Sequence, residues 1–205
     1  MRDAAGATGD RRGADIAAGA TLVVAAGLSV LVMAHHPTGA APALGRIVHG
    51  LMIALVGGML YGLAHFSLRR GLDRPLVLAG LVAYGLSAVA NIAAATINGF
   101  IVPALAARTQ DRELFALLWE SNQAFATLGV YATAVGFILW SLHMLSIKGD
   151  FHRMIGVAGL LTAVVPAATF ASGAIDMDLR GAQFAYAAHA LLPILVGIQL
   201  VRNKV

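Results

Sequence analysis

The feature that most constrains this chain is where charge is missing. Lys, Arg, Asp and Glu fall in clusters, and six charge-free runs lie between them: 16–45, 47–68, 75–107, 121–147, 154–175 and 181–201. A helix needs about 20 mostly apolar residues to cross a hydrocarbon core of about 30 Å. Every run reaches that length, and together they occupy most of the 205 residues. A charged content of 12% agrees, being about half that of soluble domains. The expectation is an all-α integral membrane protein, a bundle of six transmembrane helices in contact with the lipid bilayer. The helices read as 16–34, 46–68, 75–98, 117–145, 153–173 and 183–201. Residues 1–15 read as a disordered cytoplasmic segment, 16–201 as a single six-helix domain and 202–205 as a cytoplasmic tail.

Charge also orients the bundle. With Arg2, Arg11 and Arg12 ahead of the first span, basic residues alternate in number from loop to loop. Arg69, Arg70, Arg74, Lys148, Arg153, Arg202 and Lys204 join those three on one side, ten in all. Only Arg46, Arg108, Arg112 and Arg180, four residues, lie on the other. The positive-inside rule puts both termini in the cytoplasm and the protein in the inner (cytoplasmic) membrane of a cell. The same rule explains the net charge of +4 without nucleic acid, for which there is no basic arm. The apolar stretch Ile16–Ala34 exceeds a signal-peptide core of about 7–15 residues, so the first helix reads as uncleaved. The absence of Cys excludes thiolate metal sites, iron–sulfur clusters and cysteine nucleophiles.

Run 75–107 is too long for one span, and Asn98-Gly99-Phe100-Ile101-Val102-Pro103 carries helix breakers. A kinked extension, an interfacial helix and a re-entrant segment all fit, and the surface-lying apolar helix is the plainest of these. Internal similarity is also present. His49–Gly57 aligns with His189–Gly197, and His65 with Gly71 repeats the spacing of His143 with Gly149. Val24–Ser29 resembles Val82–Ser87. This pattern suggests three tandem helical hairpins in one orientation.

Polar residues inside the spans narrow the function. No Lys, Arg, Asp or Glu lies deep in a run, which disfavours proton-coupled carriers and ion channels. Tyr84, Ser87, Asn91 and Asn98 share one face of the third helix, and Glu120, Gln123, Thr127 and Tyr131 one face of the fourth. Gln183, Tyr186 and His189 line part of the sixth. Hydrocarbon cannot satisfy these groups, so the faces should turn inward. The expected site is a ligand pocket open to the outside, where Asn91, Glu120, Gln123, His49 and His189 converge above Thr127 and Tyr131. Interhelical hydrogen bonding that only holds the bundle together explains the same stripes.

The histidines supply a rival reading. Imidazole ligates haem iron or a divalent metal ion. His49 with His189, and His65 with His143, would place two haem b ligand pairs at two depths, while His49, His189 and Glu120 would make a mononuclear metal site. His35 and His36 lie in the first outer loop. No catalytic motif occurs, and an enzyme is not expected. Gly58-Met-Leu-Tyr-Gly62 is a GxxxG in a Gly-rich second helix, a surface for a homodimer or for packing within the bundle. The function that fits best is binding or translocation of a small neutral or weakly polar molecule. The alternative is a b-type haem or metal-binding redox protein.

Overall fold

The computed structural model describes residues 3–36 and 42–202, with side chains for 10–36 and 43–202. The protein is all-α, with six helices long and apolar enough to span a membrane among the described residues. They are α1 (Asp3–Ala34), α2 (Pro42–Arg70), α3 (Pro75–Thr96 and its continuation to Ala106), α4 (Arg112–Leu145), α5 (Asp150–Ala171) and α6 (Leu179–Val201). Each packs on its chain neighbours, and α6 returns against α1, so the helices close into a ring. The order is that of three hairpins in succession, with packing between hairpins as extensive as within them. Arg2, Lys204 and Pro37 lie outside the described residues. The face where α1 begins and α6 ends is called the terminal face below, and the opposite one the far face.

Local sequence explains the helix limits. Pro75 opens α3 at a position where its missing N–H costs nothing. Asp111 caps α4 by accepting from the backbone N–H of Glu113 and Leu114 at 3.0 and 3.3 Å, and Asp178 caps α6 through Gly181 at 2.8 Å. Gly71 and Gly149, the two glycines matched in the internal repeat, make the α2–α3 and α4–α5 turns at φ 96° and 128°. Only glycine adopts such angles without strain.

Two expectations change. The run 75–107 neither folds back nor breaks into a separate helix. It is one long helix, Pro75–Ala106, widened at Ile97–Ile101 into a π turn in which Val102 N–H donates to the Ile97 carbonyl. The wide turn carries the helix through Asn98, Gly99 and Pro103. Gly99 leaves room there for His49, whose ring and Cβ occupy the space where a Cβ would stand. Secondly, residues 10–15, expected to be disordered, belong to α1. Asp15 is only 1% exposed because two groups on α2 hold it. Its Oδ1 accepts from His65 Nε2 at 2.7 Å and from Arg69 Nε at 3.0 Å.

Packing follows the helical period. On α3, Val82, Leu86 and Val89 are exposed, as a lipid-facing stripe must be, while Tyr84, Ser87 and Ala88 are buried on the other side. The largest fully buried side chains, among them Trp140, Phe66, Phe137, Leu22 and Leu63, fill the half of the ring nearer the terminal face. Trp140 donates to the Val77 carbonyl at 3.2 Å. Small residues permit the close crossings. A Cβ on Gly19 would stand 2.5 Å from the Gly197 carbonyl oxygen, so α1 and α6 touch backbone to backbone. The GxxxG of α2 is likewise spent inside the chain: Gly58 meets Thr21 and Ala25, and Gly62 meets Ala18 and Leu22. The expected homodimer surface at Gly58 and Gly62 is therefore covered by α1.

Candidate functional site

The half of the ring nearer the far face is hollow. A cavity of about 230 Å³ is walled by α1, α2, α3, α4 and α6, while α5 contributes nothing to it. Its mouth is formed by His36, Trp119 and the segment Met177–Leu179. That volume is about eight waters' share of the liquid and falls below the roughly 300–1,000 Å³ of drug-sized sites.

The wall carries carboxamides and hydroxyls in its middle layer. Asn91 Nδ2 donates to the Ser87 carbonyl at 2.9 Å and to Ser87 Oγ at 3.1 Å. Ser87 Oγ donates to the Gly129 carbonyl at 2.8 Å and lies 2.6 Å from Thr133 Oγ1. Asn122 Nδ2 reaches the Ala94 carbonyl at 2.8 Å, and Gln123 Nε2 stands 3.4 Å from Asn122 Oδ1. The Ser87 and Asn122 bonds tie α3 to α4, so that part of the polar layer is interhelical glue, while Asn91 and Gln123 bond within their own helices. Gly129 makes the approach possible, because a Cβ there would stand 2.6 Å from Asn91 Nδ2.

The floor is aromatic. Tyr84 stacks on Phe137 with ring centroids 6.0 Å apart, and Trp140 lies beneath both at 5.8 and 6.4 Å. His189 meets the edge of Phe137 at 5.6 Å. Its Nε2 is shielded and has no hydrogen-bond partner. Tyr84, Tyr186 and His189 all line the cavity.

Of the residues singled out from sequence, His49, Asn91, Gln123 and His189 line this one cavity. Glu120, Thr127 and Tyr131 do not: Glu120 is exposed, and Tyr131 is 36% exposed. The inward stripe of α4 runs through Trp119, Asn122, Ala126, Val130, Thr133 and Phe137. It is centred about one residue earlier than the stripe of most polar letters, a rotation of about 100°. Close packing sets this rotation, since Gly136 abuts the Gly80 carbonyl and Gly129 abuts Asn91. Asn122 and Thr133, which carry the polar layer, were legible only as neighbours of Gln123 and as part of an apolar run.

The histidines divide differently from the two expected pairs. His65 is held by Asp15, and His143 Nε2 stands 3.5 Å from Arg74 Nη1. His65 and His143, expected from sequence as one haem ligand pair, thus each face a different partner. His49 and His189 share the cavity, but the first faces His36 and the second faces Phe137. Among the described residues no three His, Cys, Asp or Glu side chains gather to hold a metal, so His49, His189 and Glu120 form no ligand trio. No protein-family model, curated protein or solved structure matches the chain.

Proposed function

We propose that this multi-pass membrane protein binds a small neutral or weakly polar molecule in the far-half cavity, entered from outside the cell. The observation that carries the reading is His189 Nε2, a shielded polar atom left without a protein partner on a cavity floor. Buried polar atoms are otherwise almost always paired, so such an atom calls for water or a ligand group. The wall offers neutral donors and acceptors from Asn91, Asn98, Asn122 and Gln123. Among the described lining residues the one carboxylate, Asp178, is engaged in capping α6. A compact amide or polyol fits that chemistry and volume better than an ion. The basic-residue asymmetry supports placing the terminal face, with both termini, in the cytoplasm of a cell whose inner membrane holds the protein. Translocation additionally requires Tyr84, Phe137 and Trp140 to separate, because they close the floor.

Ligand-observed NMR on detergent-purified protein, with urea, acetamide and glycerol as probes, tests the reading. Binding of at least one probe is expected, and Ala126→Leu, which fills the cavity, should abolish it. No binding by any probe, or equal binding to Ala126→Leu, overturns the proposal. Flux of the bound probe into reconstituted liposomes separates a carrier from a binding module. A visible spectrum of the same preparation addresses the haem alternative: a Soret band sharpening on reduction defeats the present reading.

A further inference from the structure

At the cavity mouth the structure brings together two imidazoles that the sequence keeps apart. His36 follows α1 and His49 lies in α2, yet their Nε2 atoms are 3.4 Å apart. The rings meet edge to face at 88° with centroids 5.0 Å apart. His49 Nδ1 lies 2.7 Å from the Gly45 carbonyl, an acceptor only, so Nδ1 carries the proton. In the neutral ring Nε2 is then a bare lone pair turned toward His36. Binding of one ring nitrogen to a backbone carbonyl is how ligating histidines are usually oriented.

We propose that His36 and His49 form a two-imidazole site for a divalent transition metal, Zn²⁺ in the first instance. Two nitrogens bound tetrahedrally to one Zn²⁺ at about 2.0–2.1 Å stand about 3.3–3.4 Å from each other. The observed separation of 3.4 Å, a long hydrogen bond between the two rings, equals the separation that a shared metal requires. Gly99 keeps the position of His49 fixed from behind, since its missing side chain is where the His49 Cβ and ring sit. Among the described residues the protein supplies two ligands, which leaves the remaining positions to water or to a donor atom of a molecule at the mouth. The site is therefore an open one, of the kind that captures or presents a metal rather than one that holds a fold together. The inference stands apart from the cavity reading, because neither His189 nor the carboxamide layer is a ligand.

The test is Zn²⁺ titration of the full chain, freed of any histidine tag, followed by calorimetry. One Zn²⁺ per chain is expected. His36→Ala and His49→Ala should each weaken binding by at least about tenfold, the scale on which even outer partners of metal ligands act. His35→Ala and His152→Ala should leave it unchanged. Histidine-selective ¹³C labelling of the wild-type protein gives a readout that needs no variant: Zn²⁺ should shift two of the seven ring signals. Absence of saturable binding, equal affinity in the His36→Ala/His49→Ala double variant, or shifts in other rings alone would overturn the site.

Discussion

The two halves of the ring use the same six helices to opposite ends. Toward the terminal face, Phe66, Phe137, Trp140, Leu22 and Leu63 interlock with almost no exposure, and the Asp15–His65–Arg69 cluster bolts α1 to α2. Toward the far face, the helices stand off around about 230 Å³ of space walled by carboxamides and floored by aromatics. The composition hardly differs between the halves, both being rich in Ala, Leu, Val and Gly. What differs is side-chain size at the inward positions. Along α4 they run Asn122, Ala126, Gly129 and Thr133 in the hollow half, then Phe137 and Trp140 in the filled one. In a bilayer no hydrophobic force squeezes a bundle shut, so van der Waals filling decides where it closes. A membrane protein can thus keep a cavity by choosing small residues, provided the rest of the ring is packed and locked.

If the terminal half is the lock, damage there must cost most. Asp15→Ala leaves His65 and Arg69 without their shared acceptor. It should lower stability by about 3 kcal/mol, the lower end of the cost of breaking a buried pair, because Arg69 still reaches water. Reversible unfolding in mixed micelles measures this, and a loss under about 0.5 kcal/mol would show that the cluster is no lock. Gly80→Ala comes next. A Cβ at Gly80 stands 2.8 Å from Trp140 Nε1, and relieving the clash should cost about 1–3 kcal/mol while disturbing the bond to Val77.

The hollow half should respond in the reverse way. Ala126→Leu adds more volume than Gly80→Ala, yet into space, so its stability should stay within about 1 kcal/mol of the wild type while probe binding disappears. A stability loss equal to that of Gly80→Ala would mean that the far half is packed in solution. Glu120→Gln should do least. The side chain is exposed and off the cavity, so stability should stay within about 0.5 kcal/mol and binding should not change. A tenfold weakening of binding would instead show that α4 turns a different face inward.

Much of this architecture is written in the order of residues. Charge-free runs of spanning length follow from the price of a charge in hydrocarbon, so the number of helices and their all-α class are legible without coordinates. The inward faces of α2, α3 and α6 were legible too, because His49, Asn91 and His189 cannot be satisfied by lipid. Tertiary structure alone decided the rest. It chose the rotation of α4, in which glycines 129 and 136 abut Asn91 and the Gly80 carbonyl, and this moved Glu120, Thr127 and Tyr131 away from the cavity. It carried α3 through its breakers as a π turn and covered the GxxxG of α2 with α1. It also gave Asp15 to His65 and His36 to His49. The last two pairings join residues 50 and 13 positions apart, which only the meeting of surfaces can bring together. Helical periodicity reports which residues share a face; only packing against a neighbour determines where that face points.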